Sequence, residues 1–277
     1  MQVPKITSMG HMALAATAHV GNEFKLEKYA PSTQQLAAMP KSLKFKNVPE
    51  KFTFLTHNTW FIRSAEPLTN DTTKASEYPL EGQNGLAGDM DLMKLTVTNV
   101  RSKSGPTGHT FQLLVSQDFG LLPGLSEFHF LRSRKDKFGL RGPEGQQKSY
   151  RLALYDEPLL ARTKVRSMID KDFKLQRALE ITSEMCQIYE YWKDFDRELV
   201  ISPEELKAKL TEKGYNLDLL LCSRGYWTYD HYNPAHLPPL TTKDLLRMAA
   251  EQYVPWWYPD KDALKLKHVP KDTRIAA

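Results

Sequence analysis

Metal binding and nucleophilic catalysis both depend on the spacing of a few side chains. This chain has 8 histidines and 2 cysteines with which to attempt either. His231 and His236 are the closest histidine pair in its aromatic stretch "YDHYNPAHLPP". Five residues apart, with Pro234 between them, they do not share a helix face, and a metal would need a third ligand from elsewhere. Cys186 and Cys222 form no CxxC and cannot make a zinc site alone; reduced, buried thiols are the expected state in so large a chain. No serine lies in a GxSxG turn and neither cysteine has a recognisable nucleophile setting. The spacing therefore predicts no metal, no cofactor and no catalytic residue.

Three glycine-containing stretches invite a nucleotide reading and fail it. "QDFG" (117–120) matches the magnesium-binding triplet of protein kinases, but the chain lacks HRD, GxGxxG and VAIK, so the match is coincidental. "SGPTGHT" (104–110) lacks the GK[ST] of a phosphate loop and reads as a hairpin turn. "GQNGLAG" (82–88) lacks the strand-then-helix setting of a dinucleotide fingerprint. "NDT" (70–72) matches a glycosylation acceptor, which matters only in a secreted protein. The one enzyme-like alternative is a cleft in a β region, where His57, His109 and His129 all fall on or beside predicted strands. An enzyme or small-ligand binder would need at least two of them to converge with a carboxylate.

The strongest local signal is aromatic. "RGYWTYDHYNP" (224–234) carries Tyr226, Trp227, Tyr229 and Tyr232, and "YVPWWYP" (253–259) carries Trp256, Trp257 and Tyr258. Prolines exclude both stretches from regular helix and from central strand. Contiguous exposed aromatic surface is unusual on a monomer, so these rings need cover from the host fold or from a partner. Trp and Tyr are common interface anchors because they combine apolar area with a polar handle. Tyr226, Trp227, Tyr229, Tyr232, Trp256, Trp257 and Tyr258 are therefore the candidate partner-docking residues. Trp256 and Trp257 are adjacent, so in an extended chain their rings point to opposite sides, one inward and one toward a partner.

The elements that must position these residues fall into four segments. Residues 1–50 read as an extended arm with Pro4, Pro31, Pro40 and Pro49 and a short helix at 32–38. Residues 51–156 read as β. Apolar residues alternate over 92–100, 110–116, 127–132 and 149–155, with a further strand in 52–64 and turn chemistry between them. The long 65–90 connection is expected to be functional or draped over a partner. Residues 157–254 read as helical. Ala178, Ile181, Met185, Ile188, Trp192, Phe195 and Leu199 repeat every three or four residues, as one helix of about 30 residues would place them, with Arg177, Glu180 and Glu184 off the seam. That seam packs on the protein's own core or on another subunit. "SPEELKAKLTEKG" follows, with Ser202 as N-cap, Glu205 completing a capping box and Gly214 as the stop. A last helix starts at Thr241, with Asp244 at the box position, and is ended by Pro255. Residues 255–277 read as an aromatic and basic tail. The fold class expected is α+β, with an antiparallel β-rich front half, a helical back half and extended arms.

Bulk properties bound the company the protein keeps. The 277 residues carry a net charge of +5, a mild basic bias that suits anionic lipid, phosphate or acidic protein partners. Nucleic acid is a weaker expectation at this charge. No stretch approaches the ~20 apolar residues of a membrane span. The first 22 residues hold one Lys and no Asp or Glu, a faint transit-like composition without the usual arginines. With Met1 in first place, no cleaved leader is expected. The function these readings favour is a non-catalytic accessory subunit of a large assembly, with the 1–50 arm held by neighbouring protein subunits and the aromatic tail closing the fold and seating it in that assembly. A mitochondrial membrane complex such as an ATP synthase or respiratory complex comes first, an organellar ribosome with RNA contacts second, and a cytoplasmic location otherwise.

Overall fold

The computed structural model describes residues 20–22, 43–45, 57–80, 91–102, 107–134, 138–142, 149–192, 197, 200–225, 237–259, 261 and 264–266. The fold is α+β, with antiparallel sheets in the N-terminal half followed by helices. The chain divides into two compact units that interleave along the sequence. Unit one comprises Met1–Glu66 and Met93–Leu113; unit two comprises Pro67–Leu92 and Leu114–Ala277.

In unit one, β1 (Val20–Asn22) and β2 (Leu43–Phe45) pair antiparallel, Gly21 opposite Lys44. A second sheet, of whose strands β6 and the ends of β3, β4 and β5 are counted with unit two, has the order β3 (Asn58–Pro67), β4 (Leu92–Ser102), β5 (Thr110–Ser116), β6 (Gly120–Leu121). On β4 the sequence alternation puts Met93, Leu95 and Val97 on the apolar face and Thr98 on the wet one, but Leu92, Thr98 and Val100 are buried along with Val97, because both faces of the strand are partly covered; Phe61 of β3 is buried too. The expected helix at 32–38 lies outside the described residues.

Unit two is built around helices. After β6 comes α1 (Pro123–Ser133), then a three-stranded antiparallel sheet of β7 (Leu140–Arg141), β8 (Ser149–Leu152) and β9 (Leu160–Ala161). Among the described residues five helices follow: α2 (Val165–Lys171), α3 (Phe173–Gln187), α4 (Pro203–Glu212), α5 (Leu217–Leu221) and α6 (Thr242–Ala249). Helix α3 is central, and α1 packs along it. The buried cluster joins Leu125, Phe128 and Leu131 of α1 to Leu175, Ala178 and Leu179 of α3 and Leu245 and Leu246 of α6.

Three expectations about elements are corrected. Residues 127–132 were expected as strand and are helix. Phe128 and Phe130 mimic alternation, but the buried residues are Leu125, Phe128 and Leu131, a helical spacing. Pro123, which reads as a turn residue, instead starts the helix, where its missing N–H costs nothing. Gly124 lets α1 approach α2, because a Cβ there would stand 2.8 Å from the Ile169 side chain. The single helix of about 30 residues is broken at Asp172. That residue is extended (φ −123, ψ 101), and its carboxylate accepts from the N–H groups of Lys174 and Leu175, capping α3. A π-helical turn, Ile188–Trp192, follows α3. Ala178, Ile181 and Met185 of the seam face the protein's own core; the Trp192 side chain, Phe195 and Leu199 lie outside the described residues. Helix α6 ends at Ala249, ahead of Pro255, because Glu251 turns to φ 59.

Other local signals are present as read. Ser202 with Glu205 and Thr241 with Asp244 both form reciprocal capping boxes. Part of the 65–90 connection docks on its own unit. Tyr78 is fully buried, Arg132 of α1 donates to Glu77 (2.5 Å) and to the Tyr78 hydroxyl (3.0 Å), and Arg162 donates to the carbonyls of Ser76 and Glu77.

Candidate functional site

The C-terminal aromatics sit on a segment that the fold holds tightly. After α6, Tyr253, Val254 and Pro255 are buried. Tyr258 N–H donates to the Pro255 carbonyl at 3.0 Å, closing a turn around the two tryptophans. Tyr258 is itself buried: its ring meets Tyr215 edge-to-face at 5.2 Å, and its hydroxyl accepts the Asn216 N–H at 2.7 Å. That bond satisfies a donor at the start of α5 and pins the tail to it. Burial, with Tyr258 and Glu251 nearby, pushes the Tyr215 hydroxyl well above its ordinary pKa. Lys213 and Glu251 pair across the same seam, and Lys265 N–H reaches the Lys213 carbonyl.

Within this turn the two tryptophans diverge. Trp257 is partly buried and packs against the core, whereas Trp256 is 60% exposed. The geometry thus brings Trp257 and Tyr258 into the host fold and leaves Trp256 outside. Tyr226, Trp227, Tyr229 and Tyr232 lie outside the described residues.

The three histidines weighed for a cleft are divided between the two units. His57 and His109 belong to unit one, at the starts of β3 and β5. His129 belongs to unit two and lies on helix α1, not on a strand, with its Nδ1 hydrogen-bonded to the Tyr78 hydroxyl at 2.9 Å. Burial pushes the Tyr78 hydroxyl up to about 12, against the opposing pull of Arg132. "QDFG" is the turn between β5 and β6: the Ser116 hydroxyl accepts from the N–H groups of Asp118 and Phe119 and donates to Asp91 at 2.6 Å. Burial opposes ionisation of Asp91, yet hydrogen bonds from Ser116 and Arg166 hold its carboxyl below the ordinary aspartate value. "NDT" is a side-chain-capped turn in which the Asn70 carbonyl accepts from Thr72 and Thr73.

One group of ionisable residues escapes sequence reasoning. Arg177, off the predicted seam, is buried in α3, donating to Glu180 at 2.6 Å and to the Leu240 carbonyl. Glu184 accepts from the Thr242 hydroxyl. Gly225 admits Glu180, since a Cβ there would collide with its carboxylate at 1.9 Å. Burial and the charges of Glu180 and Glu184 push Glu127 of α1 well above the ordinary glutamate value, despite Arg177. Burial raises Glu184 as well, against the Thr242 hydrogen bond. An open depression of about 250 Å³ beside this cluster is lined by Glu184, Gln187, Ile188, Thr241, Thr242 and Lys243. Among the described residues no group of three His, Cys, Asp or Glu side chains could hold a metal ion. In the cluster Arg177 pairs with Glu180 and the Thr242 hydroxyl donates to Glu184, so its charges are partnered inside the helical core.

A second feature missed in the sequence is on the unit-one sheet. Trp60 is 64% and Ile62 56% exposed, and Trp60 meets Phe111, 37% exposed, edge-to-face at 6.3 Å. The signal was present in "NTWFIR" (58–63), where apolar residues occupy both parities, so one face had to carry them outward. No protein-family model, curated protein or solved structure matches this chain. No helix among the described residues is long and apolar enough to cross a membrane.

Proposed function

We propose that this protein is a non-catalytic accessory subunit of a large multiprotein assembly, docked through its C-terminal aromatic turn. The observation that carries the reading is Trp256, 60% exposed on a segment whose neighbours Val254, Pro255 and Tyr258 are buried. An indole presented by a fixed backbone loses little entropy on binding, which is the property of an interface anchor. The acid-poor first 22 residues and the net charge of +5 support a mitochondrial complex, with a membrane complex such as ATP synthase or a respiratory complex as the first candidate. An organellar ribosome is the second reading, and the net charge of +7 on unit one (11 Lys and Arg, 4 Asp and Glu) supports it.

The test is a pair of native purifications, one from wild type and one from Trp256→Ala. The wild-type chain is expected to migrate with a high-molecular-weight assembly. The variant is expected to fold normally and to bind that assembly more weakly by about 2 kcal/mol, the hot-spot threshold. A wild-type chain that migrates alone, or a variant that assembles as well as wild type, overturns the proposal.

A further inference from the structure

The net charge of the chain hides an uneven distribution. Unit one carries 11 Lys and Arg against 4 Asp and Glu, a net of +7. Unit two carries 27 against 29, a net of −2. Within unit one, the stretch from Met93 to Leu113 has Lys94, Arg101 and Lys103 and no acid at all. Positive charge segregated in this way is the electrostatic footprint of a polyanion partner.

Two exposed aromatics of that unit, Trp60 and Phe111, lie on a defined face, whereas Phe119, Tyr189, Tyr191 and Trp256 are exposed in unit two. The Thr98 and Thr110 hydroxyls bond at 2.9 Å, and Asn99 N–H donates to the His109 carbonyl, which sets Val97 opposite Phe111. Alternation then places Val97, Asn99 and Arg101 on the Phe111 face of β4, away from Thr98. Trp60 reaches Phe111 over Val97, which is 4% exposed beneath the rings. Asn58 and Ile62, two residues to either side of Trp60, continue the same column and are exposed. The face therefore offers an aromatic platform, an amide at one end and a guanidinium on the adjoining strand.

We infer that the Trp60–Phe111 face of unit one binds single-stranded nucleic acid. Bases of a single strand stack on exposed rings whatever their identity, while the phosphates between them need cations. A duplex hides its base faces and cannot use the indole. An anionic bilayer would match the charge, but not a platform of two rings interrupted by Asn58, Asn99 and Arg101. This inference goes beyond docking through Trp256 and does not rest on it, since it concerns other residues of another unit.

The experiment uses the full-length chain, a fluorescein-labelled 20-nucleotide poly-U strand, a 20-base-pair duplex and vesicles containing 30% phosphatidylserine, as choices of probe. Single strand is expected to bind at least tenfold tighter than duplex, with intrinsic tryptophan fluorescence quenched on stacking. Trp60→Ala is expected to weaken it about tenfold, within the usual range for one stacked base, and Trp60→Phe to recover most of the loss. Arg101→Ala is expected to lower the slope of log K against log salt by about 0.7, one phosphate for a single strand. A Trp60→Ala chain with wild-type affinity overturns the inference. So does equal affinity for duplex, or binding to the vesicles alone. Circular dichroism melting of Trp60→Ala separates lost binding from lost fold; a variant unfolded at the assay temperature is replaced by Phe111→Ser, which must show the same weakening for the inference to stand.

Discussion

The two units differ in where several of their described aromatic residues lie. Unit two turns them inward: Tyr78, Phe128, Tyr150, Tyr215 and Tyr258 are buried, and several meet edge-to-face. Unit one turns Trp60 and Phe111 outward on a sheet face. The charge follows the same division, +7 against −2. A helical core with layered apolar stripes can enclose its rings, whereas a sheet has two faces and buries both only if both are covered. The comparison teaches that aromatic content alone does not mark a binding surface; what marks one is an aromatic that the local architecture leaves uncovered. Trp256 of unit two is exposed beside buried neighbours, and Phe119, Tyr189 and Tyr191 of that unit are exposed as well.

The comparison is broken most directly at its extremes. Phe128→Ala, in the core of unit two, is expected to cost about 3–5 kcal/mol in chemical denaturation. Trp60→Ala in unit one is expected to cost about 1 kcal/mol, chiefly the lost edge-to-face pair. Equal losses would mean that the unit-one face is ordinary core. Next in size is Gly225→Ala, which forces a Cβ against the Glu180 carboxylate and is expected to cost about 1–3 kcal/mol as an overpacking change. Unchanged stability there would show that Glu180 can move away at no cost.

A smaller effect sharpens the electrostatic side. Glu127 and Glu184 hold their protons more tightly folded than unfolded. Their stabilising contribution is therefore complete below the ordinary glutamate value near 4.5 and is lost as pH rises through their raised folded values. The denaturation midpoint is expected to fall between pH 5 and pH 8, and Glu127→Gln to flatten that slope. Asp91 acts in the opposite sense only below the ordinary aspartate range, where protonation removes the Arg166 and Ser116 contacts. A midpoint that rises over pH 5 to 8 would contradict the assignment. The smallest expected effect is Trp256→Ala, within about 0.5 kcal/mol of wild type in thermal unfolding of the isolated chain. A larger loss would place Trp256 in the host fold and remove the basis for docking.

Local chemistry determined much of this protein from sequence alone. Capping boxes at Ser202 and Thr241, the strand character of β4 and β5 (though not which of their faces is buried), and the adjacency of Trp256 and Trp257 each depend on neighbours only a few residues away. Such interactions are encoded where they act, so they can be read before the fold is known. The same locality explains the errors: Phe128 and Phe130 fit two periods at once, and Asp172, ahead of the Ala178–Leu199 stripe, ends α2 and caps α3 where the sequence reads as one long helix. The α+β class followed from the sum of these segments. The tertiary structure alone decided which off-seam charges are buried, because Arg177 and Glu180 meet Gly225 and Leu240 across long chain separations. It alone paired β3 with β4 across the 67–92 segment, giving two units interleaved along the chain and segregating charge between them. It alone decided that Trp60 would be uncovered and Tyr258 enclosed. Burial is a property of what the rest of the chain brings to a residue, and no window of sequence around that residue contains it.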